Sequence, residues 1–173
     1  MGRLIMTTAR HFVRRGEALR AVPYEYQECG LAGIYLHSGY ETAGHEGEQY
    51  VSVFDTVGLH RCIGHQIVYM RKELAPEEIK FLRKTMDLTQ SELGQWMGQS
   101  GQQVARWEKG HSTIPGPADR LLRAIFLSET HGQDDDWNFM DFLRSIEELD
   151  DSPPRTLAFC FDGDSWQQER RAA

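Results

Sequence analysis

Gln102, Gln103 and Arg106 are the residues of this 173-residue chain whose types and spacing point most directly to chemistry. Carried on one helix, they present two amides and a guanidinium, groups that hydrogen-bond base edges and phosphates in a DNA major groove. They belong to the stretch Thr89 to Gly110, TQSELGQWMGQSGQQVARWEKG, which reads as two short capped helices joined by a tight turn. Thr89 and Glu92 have the spacing of a capping box, and Ser100 and Gln103 repeat it. Between them Met97-Gly98-Gln99 supplies a turn in which glycine takes a positive φ without steric cost. The two helices are therefore expected at a fixed angle.

Other reactive side chains lack a comparable arrangement. His37, His45, His60 and His65, with Cys29 and Cys62, suggest a metal site by number, but there is no C-x-x-C and only Cys62 and His65 fall on one helical turn. A structural zinc site needs four convergent ligands, so no metal and no other cofactor is expected. His45 with Glu46 and Glu48, or Cys29 with His37, are not placed by any nucleophile elbow or phosphate loop, and the chain is not expected to be an enzyme. Cys29, Cys62 and Cys160 are an odd number at wide spacings, which fits reduced, buried thiols in the cytoplasm.

The elements that would position the reading face follow from periodicity. Residues 1–20 form a basic arm with Arg3, Arg10, Arg14, Arg15 and Arg20. Residues 21–70 read as a small unit of short strands, Val22-Pro-Tyr-Glu-Tyr, Gly33-Ile-Tyr-Leu-His and Tyr50-Val-Ser-Val-Phe, arranged as an antiparallel meander. Asp55 then caps a helix running to about Val68, with Val57, Leu59, Ile63, Ile67 and Val68 as its apolar face. Residues 71–128 read as all-helical. Pro76 opens the first helix, with Ile79, Leu82 and Met86 on its core side and Arg83 and Lys84 on the other. Leu93, Trp96, Met97, Val104 and Trp107 are read as core, and a last helix, Ala118–Ser128, buries Leu121, Leu122, Ile125 and Phe126.

Residues 129–173 read as a helix from Trp137 to about Leu149, capped by the aspartates of 134–136, with Trp137, Met140, Leu143 and Ile146 sharing a face. A β-hairpin around Asp162-Gly163 follows. Because a lone hairpin is marginal in water, it is expected to join the N-terminal sheet or a partner's. The fold class is α+β.

The formal net charge is −7, yet residues 71–126 carry 9 basic against 7 acidic residues, while residues 127–173 carry 4 against 12. The acidity is therefore confined largely to the tail, and the one basic segment is the helical one. Few phosphate contacts and a shallow salt dependence are expected. No apolar run approaches the roughly 20 residues that span a bilayer, so a cytoplasmic protein without membrane attachment is expected.

Leu88-Thr-Gln-Ser-Glu-Leu, Gly98 and Val104-Ala-Arg-Trp-Glu-Lys-Gly resemble the Cro/CI-type (Xre) helix-turn-helix. The resemblance implies a DNA-binding domain over residues 74–128, usually dimeric, whose third helix enters the major groove. By residue match Gln90 contacts phosphate and Lys109 lies near it, so the expected DNA-binding set is Gln90, Ser100, Gln102, Gln103, Arg106 and Lys109. Glu108 and Gly110 are structural on the same ground. Gly101 stands where many relatives carry a long polar side chain, which shifts specificity to Gln102, Gln103 and Arg106. Tyr26-x-Glu-Cys-Gly-Leu, in a β-rich unit ahead of this motif, is similar to MqsA-type (YgiT-like) antitoxins without their zinc-binding cysteines. Together these features imply a homodimeric repressor of its own operon, reading a palindromic double-stranded operator. The alternative is an antitoxin-like protein that neutralises a toxin through its N-terminal unit or acidic tail.

Overall fold

The computed structural model describes residues 22–45, 48–70, 73–130, 138–149 and 156–169. The basic arm, the aspartates of 134–136, Trp137 and the prolines after the last helix lie outside the described residues. Those described form a mixed α+β chain that divides into two units. One comprises the described residues within Met1–Glu28, Ala32–Cys62 and Thr156–Ala173, the other those within Cys29–Leu31 and Ile63–Arg155. None of the described helices is long and apolar enough to cross a membrane.

In the first unit β1 (Tyr24–Glu25), β2 (Ile34–Leu36), β5 (Leu157–Phe161) and β6 (Trp166–Gln168) form one sheet in the order β1-β2-β5-β6. The C-terminal hairpin thus joins the N-terminal sheet, as expected from its marginal stability alone. The expected antiparallel meander is not formed: β2 pairs with β1 antiparallel but with β5 in parallel, Ile34 opposite Leu157 and Leu36 opposite Phe159. All four of those residues are buried, whereas Tyr35 and Ala158 between them are half-buried, so the register places one apolar row on one face. The strand around Tyr50 instead makes a separate two-stranded ribbon, β3 (Tyr40–His45) with β4 (Glu48–Val53).

Trp166 holds this unit together at its polar tip. Its indole N–H donates to the carbonyls of Phe54 at 2.9 Å and Asp55 at 3.2 Å, which fixes the end of β4 against β6. Its ring needs the space left by Gly39, where a Cβ would come within 2.5 Å of both Trp166 and Phe161. Gly39 also has φ +77°, so glycine is required there twice over.

The helix α1 (Thr56–Ile67) begins where the Asp55 carboxylate accepts from the Gly58 amide at 3.0 Å, the expected cap. Leu59, Ile63, Ile67 and Val68 are buried as read, but Val57 is exposed because it lies off the i, i+4, i+8 stripe of Leu59, Ile63 and Ile67. The Tyr26 hydroxyl and His60 Nε2 are 2.8 Å apart in the first unit, and burial holds the imidazole below its ordinary value of 6.5.

The second unit contains α2 (Pro76–Thr85), α3 (Gln90–Trp96), α4 (Gly101–Glu108), α5 (Gly116–Thr130) and α6 (Phe139–Glu147). Several faces differ from the expected ones. Arg83 is buried, Leu121 is exposed, and Trp96 is 49% exposed. On α6 the buried pair is Phe142 and Ile146, not Met140, and Asn138 caps the helix through the amides of Met140 and Asp141. Tyr69, outside the helix, meets Phe142 edge-on at 6.1 Å, with the Phe139 ring tilted against Phe142 one turn before it.

A buried ion pair ties α5 to the segment joining α1 and α2. Arg123, 0% exposed, donates to Asp119 Oδ1 at 2.5 Å and to the Val68 carbonyl at 2.7 Å, while Asp119 Oδ2 accepts from the Leu74 amide at 2.7 Å. Every charge in the cluster is therefore hydrogen-bonded, the condition under which a desolvated pair is tolerated.

Replacing Arg123 by Met strands the Asp119 carboxylate in the core. The expected loss is about 3–5 kcal/mol in urea unfolding, partly recovered in Asp119→Leu/Arg123→Met. A loss no larger in the single variant than in the double would contradict the reading.

For His60 the sign is that of a base whose folded pKa lies below its unfolded one. The unfolded chain binds the proton first, so the stabilising contribution is full above the ordinary value and is lost as the pH falls through it toward the folded value. The melting temperature is expected to drop between about pH 7.5 and about pH 5.5, with a smaller drop in His60→Gln. Equal declines in the two proteins would show that His60 is not responsible.

Candidate nucleic-acid interface

The geometry of α3 and α4 comes from two chain corners of one construction. At the end of α2, Asp87 has φ +57°, the Leu88 amide donates to the Arg83 carbonyl at 3.2 Å and the Asp87 amide to that of Lys84 at 3.0 Å. At the end of α3, Gly98 has φ +66°, the Gln99 amide donates to the Gly94 carbonyl at 2.7 Å and the Gly98 amide to that of Gln95 at 3.3 Å. Both are Schellman motifs with a single left-handed residue. In both, the next residue but one is the N-cap of the following helix. Thr89 accepts from the Glu92 amide and Glu92 returns to the Thr89 amide at 2.8 Å, while Ser100 accepts from the Gln103 amide at 3.1 Å. The α4 helix ends in the same way at Gly110, φ +68°, with His111 donating to the Arg106 carbonyl at 2.9 Å.

The second capping box is incomplete, and the difference concerns a predicted reader. Gln103 does not reach back to Ser100; its Nε2 donates to Ser112 Oγ at 3.2 Å, and its side chain is half-buried. Gln90 is likewise committed, donating from Nε2 to Glu108 Oε2 at 2.7 Å. Gln102, Arg106 and Lys109, together with Ser100 at the start of α4, are exposed. The first three fall at i, i+4 and i+7 and share one stripe.

The α4 helix is clamped from behind. Arg83 of α2 binds Glu108 through two parallel bonds, Nε to Oε1 at 2.5 Å and the terminal nitrogen to Oε2 at 3.0 Å, and its other terminal nitrogen donates to the Leu88 carbonyl at 2.7 Å. Gln90 adds the third bond to the same carboxylate. One side chain at the end of α4 thereby ties down α2, the α2–α3 corner and the start of α3. The structural role that the resemblance implied for Glu108 has this geometric content. Arg83 was missed in the sequence because it was assigned to the solvent side, yet it lies four residues from Ile79 and three from Met86 and so belongs to the core stripe.

The two helices meet backbone to backbone. A Cβ on Gly94 would lie 2.8 Å from the Gln99 carbonyl oxygen, and one on Gly101 would lie 2.9 Å from Ser91 Oγ and 3.0 Å from Ser91 Cα. Gly101 therefore faces α3, and its lack of a side chain is a packing requirement before it is a lost reader. Helical spacing groups Trp96 with the core residues Leu93 and Met97, but it is half exposed, two residues before Gly98.

Among the described residues no group of three His, Cys, Asp or Glu side chains is disposed to hold a metal ion. His60 pairs with Tyr26, His65 lies 3.0 Å from the Thr130 hydroxyl, and His37 lies 3.1 Å from Glu169. Burial pushes the Cys62 thiol up to about 11, which marks it as an unreactive, protonated group.

Because Gly98 and Asp87 occupy equivalent left-handed positions, they should respond in opposite directions. Gly98→Ala is expected to lose about 1–2 kcal/mol; Asp87→Gly is expected to gain a fraction of that. Urea unfolding of the full chain measures both, and the reverse order would show that backbone conformation does not govern these corners.

No protein-family model matches the chain, and neither a curated protein nor a solved structure matches it.

Proposed function

We propose that this protein is a sequence-specific double-stranded DNA-binding regulator of transcription, a homodimeric repressor that reads an inverted repeat with α4 in the major groove. The observation that carries this reading is the exposed stripe Gln102, Arg106 and Lys109 on a helix whose orientation is fixed by two capped corners and by the Arg83–Glu108 pair. A reading helix must hold its side chains in register with base edges, and a short helix clamped at both ends does so at little conformational cost.

The roles divide by chemistry. Arg106 can bond a guanine edge bidentately, Gln102 can bond an adenine edge, and Lys109 at the C-terminal end of the helix supplies a point charge for phosphate. Gln103 and Gln90 serve the interface indirectly, by holding Ser112 and Glu108. Dimerisation rests on the resemblance to Cro/CI-type proteins, and autoregulation on the resemblance to MqsA-type antitoxins.

Fluorescence anisotropy with DNA from upstream of the gene tests the reading. Saturable binding to an inverted repeat is expected, well above binding to random sequence. Arg106→Ala should cost about 1–3 kcal/mol and relax the preference at one base position, whereas Lys109→Ala should weaken all sequences alike and lower the salt slope by about 1. Equal affinity for upstream and random DNA would overturn the proposal.

A further inference from the structure

The four-stranded sheet has two unlike faces. Its registers put Ile34, Leu36, Leu157 and Phe159 on one, all buried, and Tyr35 and Ala158 on the other, both half-buried. This second face carries one row across all four strands. Glu25 lies opposite Tyr35, Tyr35 opposite Ala158, and the Glu169 amide donates to the Ala158 carbonyl at 2.8 Å. A carboxylate at each side therefore flanks an aromatic ring and a small residue, with the outer strands about 14 Å apart.

Glu25 is exposed, and Glu169 is half-buried, with Oε2 3.1 Å from His37 Nε2. Cys160 alternates onto the same face, and its thiol is pushed up, first by burial and then by the nearby carboxylates of Glu169 and Asp162. The surroundings of the row are therefore acidic. A planar cation suits them: a guanidinium stacks on the Tyr35 ring in the room that Ala158 leaves and bonds the carboxylate to one side. The same face of a second copy would instead bring like charges together.

The chain itself supplies that cation. Residues 1–21 carry five arginines and one glutamate, a net charge of +4, whereas residues 22–62 and 156–173 carry nine acidic and three basic residues, a net charge of −6. Arg14, Arg15 and Arg20 lie between four and ten residues before Tyr24, the start of the outer strand that bears Glu25. At about 3.3 Å per extended residue they reach any position in the row. Tethering gives such a segment an effective concentration on the order of millimolar, so few contacts suffice. We infer that residues 14–20 dock on this face of the sheet, with arginines stacked on Tyr35 and paired with Glu25 and Glu169. The docked arginines are withheld from phosphate, and the inference stands whether or not α4 reads DNA.

Trypsin cuts after arginine, so its rate of cleavage after Arg14, Arg15 and Arg20 of the full chain, followed by mass spectrometry, reports docking. In Glu25→Gln/Glu169→Gln that cleavage is expected to be roughly tenfold faster than in the unaltered protein, with cleavage after Arg61 unchanged as the sign that the unit is folded. Carbodiimide coupling of the Arg15→Lys variant supplies a second reading, since it joins an amine to a carboxylate only in direct contact. A mixture of ¹⁵N-labelled and unlabelled protein is expected to yield links from position 15 to Glu25 or Glu169 within one chain. Equal cleavage in the two proteins, links to other carboxylates alone, or links between labelled and unlabelled chains would each overturn the inference.

Discussion

The carboxylate of Glu108 is the point on which the helical unit depends. Its side chain is 3% exposed, and it accepts from Arg83 twice and from Gln90 once. A lone buried carboxylate is costly, whereas this one receives three N–H bonds and faces a full positive charge. The geometry needed to satisfy it is demanding. The flat guanidinium must lie in the carboxylate plane, the amide of Gln90 must approach from α3, and Arg83 must still reach the Leu88 carbonyl. Three helices can meet those conditions in one arrangement and in few others, so the pair specifies an angle as well as holding it.

The same strategy recurs at Arg123. There too an arginine lies on the core stripe of a helix, at i+4 from its own aspartate, and one terminal nitrogen and the aspartate's second oxygen reach the chain on either side of residues 71–72. In both clusters the ion pair satisfies backbone groups in segments that have no regular partner. Apolar packing around Leu82, Val104 and Phe126 supplies the non-directional attraction; the two arginines select which packed arrangement is populated. The first unit solves the equivalent problem without charge, by fitting the Trp166 ring over Gly39 and returning its indole proton to the Phe54 and Asp55 carbonyls.

What could be read in the sequence follows from the range of the interactions involved. Thr89, Ser100 and Gly98 act within a few residues of themselves, and the caps and the left-handed corner were legible for that reason. The helix face of Leu59, Ile63 and Ile67 was legible, whereas a charge on the stripe hid Arg83 and apolar residues off the stripe, Val57, Leu121 and Met140, were taken into it. The i, i+3, i+4, i+7 spacing of Ile79, Leu82, Arg83 and Met86 was the available signal, and that of Asp119, Leu122, Arg123 and Phe126 repeats it. Sheet pairing was not legible. The parallel partner of β2 lies more than a hundred residues away, and Tyr40–His45, with Gly44 and little alternation, gives no local sign of being a strand. Gly101 was read for its missing side chain, because only the approach of Ser91 in space shows why a side chain has no room.

These internal commitments also shape the candidate interface. Of the glutamines assigned to DNA, Gln90 and Gln103 each make a bond within the unit, and only Gln102 leaves its amide free on the exposed stripe. An amide already held by Glu108 or Ser112 can turn to a phosphate only by exchanging one hydrogen bond for another, with small net gain. Arg106 and Lys109 face no such exchange. On the proposed reading, discrimination by α4 rests on two or three side chains, and the acidic remainder of the chain disfavours indiscriminate attachment to phosphate. A helix proposed to read bases would gain selectivity from the rigidity behind it, since a short stripe distinguishes bases only if the helix that carries it does not roll.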